Sequence, residues 1–381
     1  MAQIKPDVET FAKIKVIGVG GSGGKGISRM IACKIHGVDF VAINTDAQDL
    51  HHVKVNEKVH IGKNLTKGLG AGMNPEVGRQ AAEENRDEIH EVVKGSDMVF
   101  VTGGFGGGTC TGAAPIIAEA AKDSGALTVA LVTKPFSFEG AQRARIAEEG
   151  LIQLRDKVDT LIIIPNDRLL SIIDRKTSLL NAFSMVDDVL RQAVQGISDL
   201  IITPGIVNVD FADVKAIMQD TGSALMGIGR AIGEDRAVEA AKAAINSPLL
   251  EVSIDGAKGV LFNVSGGSDL AMAEINEAAK VITESIDPEA KVIFGAVMDD
   301  KLKKGEIKVT VIATGFDEGL IRKTGERIQD ISPINKVIER DKKKQSFTIS
   351  NTVSRPKANV VVEDQEKDEW DIPAFIRRKM K

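Results

Sequence analysis

A glycine-rich stretch between an apolar run and a helical pattern constrains the fold of this chain most. Residues 98–101 are Met-Val-Phe-Val, six of the ten residues from Gly103 to Gly112 are glycine, and a helical pattern begins at Ala113. This order predicts a strand, a loop and the start of a helix. Glycines let successive backbone N–H groups converge on one point, and the helix adds its positive N-terminal end, so the loop suits a phosphate chain. A mobile loop or a tight turn is the alternative, but such a turn needs only one or two glycines.

The composition favours a globular protein of a reducing compartment. The 381 residues are enough for two domains, and 43% hydrophobic with 27% charged residues is ordinary for a globular chain. A net charge of −5 gives no basic field, so we expect no nucleic-acid partner. Two cysteines, Cys33 and Cys110, are too few for a disulfide framework or a cysteine-rich metal site. The sequence starts without an apolar segment and has no long apolar run, which predicts a cytoplasmic location and no membrane insertion.

A second glycine-rich segment, residues 20–26, follows a buried strand predicted over residues 13–19. It opens a helix and is interpreted as a further phosphate loop. Residues 18–23 also match the G-x-G-x-x-G pattern of dinucleotide-binding folds, with Asp39 or Asp46 as the acid. An NAD-linked oxidoreductase is therefore a competing interpretation. It lacks a candidate proton shuttle, because all five histidines fall in the first quarter of the chain and none lies beside a recognisable substrate motif.

The Walker A phosphate-loop pattern does not fit this segment. With Lys25 as its lysine, a valine stands at the first glycine position and a glycine replaces the Ser or Thr that would hold magnesium. A third glycine-bearing loop, residues 68–75, follows a strand predicted over residues 39–46 and precedes a polar helix expected over residues 76–94. Three such loops at one sheet edge fit a triphosphate better than a pyrophosphate, although a plain surface turn is the alternative for the third.

Strands and helices alternate through the first half of the chain, which predicts a mainly parallel sheet covered on both faces. A long buried helix is predicted over residues 179–202, where apolar residues recur at three- and four-residue intervals. A smaller α/β segment follows. We predict helices over residues 236–245 and 269–286, and strands over residues 127–133, 160–165, 259–264, 292–297 and 307–314.

Two groups of residues on and after the long helix are candidates for function. Phe183 could stack on a nucleobase and Asp187 could accept hydrogen bonds from a guanine edge, but a helical apolar stripe more often means packing. Asp210 and Asp213 lie three residues apart, so both carboxylates project from the first turn of a helix predicted over residues 210–218. Helix capping explains either aspartate well and explains the pair together with Asn208 less well.

The end of the chain changes character. Residues 317–369 are polar and charged, which predicts a flexible linker that orders no core. Residues 370–381 combine apolar and basic side chains, including Trp370 and Phe375. A frayed terminus is the alternative, but we expect a partner-docking peptide. The predicted domains are thus residues 1–178 for the nucleotide, 179–202 as a central helix, 203–316 as a smaller α/β domain, 317–369 as a linker and 370–381 as the peptide.

Six motifs in order resemble those of the FtsZ family, the bacterial tubulin-like cell-division GTPases. They are GVGGSGG at 18–24, NTDAQ at 44–48, GLGAGMNPE at 68–76, GGGTCTG at 106–112, IPNDRLL at 164–170 and NVDFADV at 208–214. The resemblance runs from about Ile14 to Phe316 and resumes in DIPAFIRR at 371–378. It implies an α/β fold: a tubulin-like GTPase domain with a Rossmann-like, mainly parallel sheet, a long central helix, a smaller α/β domain and a disordered tail.

The resemblance also implies roles for individual residues. The glycine motifs would hold the phosphates, and the third loop would approach the γ-phosphate. Glu139 and Arg143 would contact the ribose region. Asn166, Phe183 and Asp187 would recognise guanine. The nucleotide-binding residues so expected are Gly20, Gly21, Ser22, Lys25, Ala71, Gly72, Gly104, Gly106, Gly107, Gly108, Thr109, Thr111, Gly112, Thr133, Glu139, Arg143, Asn166, Phe183 and Asp187. Asp210 and Asp213, with Asn208, would be catalytic. They would enter the site of a neighbouring subunit and polarise the attacking water, so that hydrolysis follows polymerisation.

The function implied is a GTPase that binds GTP or GDP, with Mg²⁺ bridging the phosphates, and assembles head to tail into a ring at the midcell division site. Residues 370–381 would bind membrane-tethering and regulatory division proteins. A non-hydrolysing scaffold is a third interpretation, against which Asp210 and Asp213 argue. Two positions depart from the family: Cys110 stands where a glycine is usual, which predicts thiol sensitivity, and Lys25 stands where an asparagine is usual, which could add a phosphate contact.

Overall fold

A ten-stranded sheet organises the chain. The computed structural model describes residues 12–170, 177–203, 207, 209–247, 250, 253–299 and 302–316, which belong to one compact unit. Its strands are β1 Ile14–Val19, β2 Val38–Asn44, β3 Glu57–His60, β4 Met98–Gly104, β5 Leu127–Lys134, β6 Thr160–Pro165, β7 Gly222–Ile232, β8 Gly259–Gly266, β9 Lys291–Met298 and β10 Glu306–Thr314. Its helices are α1 Gly20–Ala32, α2 Ala47–His52, α3 Lys63–Thr66, α4 Pro75–Glu84, α5 Arg86–Val93, α6 Gly108–Asp123, α7 Ala141–Arg155, α8 Asn166–Leu170, α9 Leu179–Ile202, α10 Phe211–Met218, α11 Arg236–Ile245 and α12 Met272–Thr283, with a 3₁₀ turn at Ser137–Glu139.

The strand order is β3-β2-β1-β4-β5-β6-β7-β10-β8-β9, and every neighbouring pair is parallel except those made by β10. We call the edge where β1, β4 and β5 end the carboxyl edge, and the edge where they begin the amino edge. Strands β6 and β7 pair at three positions, Thr160–Ile162 with Gly222–Ala224. This short pairing joins the segment that carries β1–β6 to the later α/β segment that carries β7–β10 in one sheet. The parallel pairing from β3 to β7 confirms the mainly parallel α/β prediction.

Both faces of the central strands β1, β4, β5 and β6 are buried, because an apolar layer covers each face of the sheet there. In β4, Phe100 packs into the layer covered by α9, and Val99 and Val101 pack into the opposite layer with α4 to α7. Alternate residues of a strand point to opposite faces, so a strand buried on both sides reads as a continuous apolar run. A third apolar cluster lies between β8, β10 and the helices α11 and α12.

The structure corrects three predictions about helices and strands. The helix expected over residues 76–94 is two helices that meet at Asn85, whose Oδ1 accepts a hydrogen bond from the Gly62 N–H at 2.8 Å and whose Nδ2 donates to Glu88 at 3.0 Å. The helix expected over residues 269–286 is shorter, at Met272–Thr283. Strand β7 was not predicted, because Gly222, Gly227 and Gly229 interrupt its apolar alternation.

The glycines of β7 have a packing role. A Cβ at Gly227 would lie 2.0 Å from the Ala244 carbonyl oxygen, and one at Gly229 would lie 1.9 Å from that of Ala240. Helix α11 therefore rests directly on the strand backbone, which only glycine permits.

The predicted loop over residues 102–112 is mostly regular structure. Strand β4 continues to Gly104 and helix α6 begins at Gly108, so three residues connect them. The glycines serve two purposes along this run. A Cβ at Gly112 would lie 1.9 Å from the Pro75 carbonyl oxygen, whereas one at Gly107 would meet nothing within 4 Å.

This difference predicts unequal effects of the same substitution. Gly112→Ala should lower the free energy of unfolding by about 3 kcal/mol, because α4 and α6 must move apart. Gly107→Ala should lower it by less than about 1 kcal/mol, since its φ of −90° suits any residue. Urea denaturation followed by circular dichroism measures both, and equal losses would contradict the packing role of Gly112.

Candidate functional site

The glycine motif at residues 103–108 forms a fixed turn between β4 and α6. The Gly106 N–H donates to Thr111 Oγ1 at 3.0 Å. Gly106 has a φ of +96°, and a Cβ there would lie 2.9 Å from the Arg143 carbonyl oxygen. Gly107 then precedes the helix without a side-chain cap, next to open space. The free N–H groups of the first turn of α6 therefore face a cleft, which is the geometry of a phosphate site.

Helix α1 begins beside α6. A Cβ at Gly20, which has a φ of +70°, would lie 3.4 Å from the Cys110 backbone nitrogen and 3.5 Å from Thr109 Cβ. Ser22 Oγ accepts a hydrogen bond from the Gly104 N–H at 2.7 Å. Two uncapped helix N-termini thus lie side by side at the carboxyl edge, and their positive ends add. This arrangement favours a ligand with several negative charges.

The third loop reaches the same place. A Cβ at Gly108 would lie 2.8 Å from Ala71 Cβ, so the loop contacts the start of α6. A bridge between Leu69 and Asp46 holds the loop against the end of β2. Gly72 has a φ of +55° and open space on its side-chain face. The structure therefore brings the three predicted loops together at the carboxyl edge.

Sequence reasoning missed Thr45 as part of this site. Its Oγ1 lies 2.6 Å from Thr109 Oγ1, and its carbonyl oxygen accepts a hydrogen bond from Thr66 Oγ1 at 3.1 Å. Thr45 thus links the Thr109 hydroxyl to the segment that leads into the third loop. The available signal was its position directly after β2, at the carboxyl edge.

A second set of residues extends the site from β5 to α7. Arg143 donates to Glu139 at 2.5 Å, and the other carboxylate oxygen of Glu139 accepts from the Phe136 N–H at 3.0 Å. Thr133, at the end of β5, lies next to Gly104, because a Cβ at Gly104 would be 3.4 Å from its hydroxyl oxygen. Glu139 and Arg143 are therefore fixed beside the glycine motif at residues 103–108.

Three predicted base-reading residues lie near the start of α9. Phe183 is 41% exposed, although Val186 and Leu190 further along the same stripe are buried, and it meets Phe136 edge to face at 5.4 Å. Asn166 is buried, and its Oδ1 has no hydrogen-bond partner among the described residues. A buried carbonyl oxygen without a partner is costly, which points to a ligand donor at this position. Asp187 is half-buried beneath the cations Lys25 and Arg29 of α1.

Burial raises the pKa of Asp187 from 3.8 to about 6, against the opposing attraction of Arg29 and Lys25. The folded state therefore binds its proton more tightly than the unfolded chain does. The ionised carboxylate destabilises the ligand-free protein above pH 6, and the penalty disappears as the pH falls towards about 4.

Replacing this carboxylate should stabilise the ligand-free protein. We expect Asp187→Asn to raise the free energy of unfolding at pH 7 by about 1–2 kcal/mol, a value reduced for partial exposure. The gain should disappear near pH 4, where wild-type Asp187 is largely protonated in the folded state and the unfolded chain begins to protonate as well. Denaturation at the two pH values measures the difference, and a gain that is independent of pH would show that ionisation is not its cause.

The two candidate catalytic acids lie elsewhere. Asp210 caps α10, and its Oδ1 accepts the Asp213 N–H at 2.8 Å, so the capping interpretation holds for Asp210. Both carboxylates are exposed. Asn208 lies outside the described residues, as do the predicted linker and the peptide at residues 370–381.

Helix α9 separates these acids from the glycine motifs. From Asp187 to Ile202 it rises by about 22 Å. Ile202 packs where a Cβ at Gly37 would come within 2.6 Å, just before β2 begins at the amino edge. Helix α10 follows, and its last turn is bound to Thr160, the first residue of β6. The acids therefore belong to the amino edge, and one chain does not bring them to its own glycine motifs.

The two cysteines differ in reactivity. Cys110 is buried against Gly103, and burial raises the pKa of its thiol to about 12. Cys33, directly after α1, is exposed. Because the thiolate is the reactive form, the burial of Cys110 and its raised pKa argue against thiol sensitivity at this position in the folded protein.

Brief treatment of the native protein with a maleimide at neutral pH should modify Cys33 alone. Cys33→Ser should leave the native chain unlabelled, while unfolding in guanidinium should expose Cys110 and give one label. Mass spectrometry of the intact chain counts the labels. Rapid labelling of the native Cys33→Ser variant would mean that the α6 start opens readily.

The nucleotide-binding roles of the individual residues stay predictions, but their positions are now clear. The glycine motifs, Thr109, Thr133, Glu139, Arg143 and the base-reading residues converge on the carboxyl edge. Thr111 is buried within the turn, and Gly112 is closed off by α4. Among the described residues, no group of three or more His, Cys, Asp or Glu side chains is arranged to hold a metal ion. None of the helices in the described ranges has the length and apolar character needed to span a membrane.

Two parts of the chain match known family models, and the whole fold is similar to solved structures. Residues 13–174 match the model of the tubulin/FtsZ family GTPase domain, and residues 222–317 match that of the FtsZ family C-terminal domain. An empty FtsZ dimer from M. jannaschii is 48% identical, with a TM-score of 0.77, covering 81% of this chain and 89% of that one. A tryptophan-to-tyrosine mutant of M. jannaschii FtsZ is also 48% identical, with a TM-score of 0.78 and coverage of 81% and 92%. A GTPγS-bound protofilament of CetZ2 from Haloferax volcanii shares the fold at 23% identity, with a TM-score of 0.71 and coverage of 84% and 98%.

Proposed function

Because the chain belongs to the FtsZ branch of the tubulin/FtsZ family, we propose that each GTP it hydrolyses is cleaved at a junction between two head-to-tail copies. The protein is a GTP-binding, GTP-hydrolysing cytoskeletal protein that polymerises. What carries the proposal is the separation by α9 of the phosphate cleft from the acids. An interpretation as an NAD-linked oxidoreductase is not favoured by these family matches.

The phosphates of GTP are proposed to lie against the paired N-termini of α1 and α6. Gly20, Gly21, Gly107, Gly108 and Thr109 surround this point, and the open space beside Gly107 fits the chain of phosphates. Ala71 and Gly72 approach the γ-phosphate from the third loop. Ser22, Lys25, Gly104, Gly106, Thr111, Gly112 and Thr133 are proposed to complete the cleft, directly or by holding its glycines in place.

The nucleoside is proposed to extend towards α9. Glu139 and Arg143 contact the ribose and phosphate region. Phe183 offers an exposed ring on which the base can stack. Asn166 offers a buried acceptor that has no partner among the described residues. Asp187 offers a carboxylate that accepts hydrogen bonds from the guanine edge. Binding of guanine donors would stabilise the ionised form of Asp187, which the ligand-free protein disfavours.

Hydrolysis is proposed to begin when a second copy docks its amino edge on this cleft. Asp210 and Asp213 of the incoming copy, with Asn208, then align and polarise a water against the γ-phosphate. Phosphoryl transfer depends mainly on positioning this water and neutralising charge, so a cleft without those acids is nearly idle. A head-to-tail contact repeats without closing, and the product is a filament.

Mg²⁺ is proposed to bind mainly through the nucleotide, because phosphate oxygens are the hard ligands that it prefers. Bound there, it would supply positive charge against the phosphates. The filament is proposed to form the ring at the midcell division site, in the cytoplasm. Residues 370–381 are proposed to dock membrane-tethering and regulatory division proteins, because apolar and basic side chains end an otherwise polar stretch.

Removing one acid should separate binding from hydrolysis. Asp213→Ala should bind GTP with unchanged affinity and form filaments, yet hydrolyse GTP about 100-fold more slowly. Asp235→Ala is the matched control, since Asp235 is an exposed aspartate directly before α11. Phosphate release and light scattering measure hydrolysis and assembly.

The same assays test the shared site through concentration. Wild-type turnover per subunit should rise with protein concentration, because only subunits in contact have a complete site. Turnover per subunit that is constant over a wide range of concentrations would refute the proposal.

A further inference from the structure

The helix that carries the acids is held at its far end by hydroxyl groups. Thr314 Oγ1 donates to the Ile217 carbonyl oxygen at 3.0 Å, Thr221 Oγ1 donates to that of Met218 at 3.1 Å, and Thr160 Oγ1 donates to the same Met218 oxygen. The last carbonyls of a helix have no partner within it. Here side chains supply those partners, two of them from buried strand residues.

The two strand threonines come from opposite sides of the short β6–β7 pairing. Thr160 is the first residue of β6, and Thr314 is the last residue of β10, and both are almost fully buried. The Thr314 oxygen also lies 3.4 Å from the Gly259 carbonyl oxygen, at the start of β8. Helix α10 is therefore fixed by the nucleotide-binding segment and by the later α/β segment together.

The turn after α10 is fixed from the same edge. The Asp159 carbonyl oxygen accepts the N–H groups of Thr221 and Gly222 at 2.9 and 3.0 Å. Lys122 joins the Asp159 carboxylate at 3.2 Å to that of Asp220 at 2.7 Å. The C-terminal end of α10 thus has little freedom to shift.

Because α10 is short, the position of its C-terminal end determines where the acids at its N-terminal end lie. Helix α10 has eight residues and is about 12 Å long, so a tilt of about 10° at one end moves the other by about 2 Å. A misplacement of about 1 Å can cost about 100-fold in rate when a reaction depends on positioning. The hydroxyl contacts are far from the chain's own nucleotide cleft, at the amino edge.

We propose that Thr160 and Thr314 are positioning residues for hydrolysis, which set the direction in which Asp210 and Asp213 enter the neighbouring site. This inference rests on the proposed function. It adds that each subunit affects the rate of hydrolysis in its neighbour. It does so through two buried hydroxyls that contact neither the nucleotide nor the attacking water.

The test uses Thr160→Val and Thr314→Val in the full-length chain, since valine keeps the shape and removes the hydroxyl. GTP affinity should stay within about 2-fold of wild type, and GTP turnover should fall about 10-fold. Thr314→Ser should restore turnover. Ser285→Ala is the control for a lost hydroxyl contact, because the partly buried Ser285 hydroxyl bonds the Val281 carbonyl oxygen. Val281 packs in the apolar cluster of α11 and α12, whereas α10 packs in a different cluster.

Mixing experiments identify the side of the junction that fails. Gly107→Glu, which puts a carboxylate into the open space of the phosphate cleft, supplies intact acids without a working nucleotide site. Mixed with Thr314→Val, it should restore turnover, since the normal acids then meet a normal nucleotide. A mixture of Thr314→Val with Asp213→Ala should stay slow, because both lack properly placed acids.

The outcomes separate this inference from the proposed function. If Asp213→Ala is slow but the threonine variants turn over GTP as Ser285→Ala does, the positioning role is refuted. It is also refuted if GTP affinity falls in parallel with turnover, or if Gly107→Glu does not restore Thr314→Val. If Asp213→Ala hydrolyses GTP normally, the proposed function itself fails and the inference fails with it.

Discussion

The packing of α9 in the apolar layer on one face of the sheet, with residues of β1, β4, β5 and β6, is the constraint on which the rest of this structure depends. Val186, Leu190, Val194 and Ile197 bury one side of the helix in the apolar layer of the sheet. This apolar contact fixes a helix of 24 residues, about 36 Å long, against the sheet. Because one end of α9 presents Phe183 and Asp187 and the other leads to Asp210, the two halves of the chemistry are kept apart by packing.

The polar side of α9 faces different partners. Within the helix Arg191 bonds Asp188 at 2.7 Å, and from outside it Arg230 of β7 donates to Gln192 at 3.1 Å. Lys308 of β10 is buried, its pKa is lowered by desolvation, and it lies 3.7 Å from Asp299. The helix therefore meets the later strands through both kinds of contact, since Leu200 packs against Gly295 of β9 and Gln192 bonds Arg230 of β7.

The sequence revealed the elements whose patterns are local. The helices at 179–202 and 236–245 and most strands have apolar periodicity that needs no tertiary information. It also identified the three loops that meet at the carboxyl edge, because glycine runs next to buried strands have few other uses. Strand β7 was missed because Gly227 and Gly229 are required by the close approach of the α11 backbone. That tertiary contact is not visible in the local sequence pattern. Thr45 was missed because its role is a contact with Thr109, a neighbour in space alone.

The same distinction between local and tertiary information explains why too many glycines were assigned to the ligand. Within 102–112 the sequence cannot separate a glycine that opens space for a ligand, such as Gly107, from one that admits a neighbouring helix, such as Gly112. Only the positions of α4 and α6 distinguish them. The glycines of α1 divide in the same way, since a Cβ at Gly23 would lie 2.7 Å from the Thr102 carbonyl oxygen. Part of every glycine motif here is therefore scaffolding for the ligand-facing part.

Separation of the two edges has a consequence for control. Each edge can be complete and well folded while the reaction stays slow, because the water-aligning acids and the phosphates meet only between copies. Nucleotide binding then depends on packing at the carboxyl edge, and hydrolysis depends additionally on the amino edge of another molecule. Helix α10 lies where strands of both segments begin or end, so any shift of one segment against the other changes the angle of its acids. A chain built in this way can make the rate of hydrolysis depend on the geometry of the filament, because docking and catalysis use the same surface.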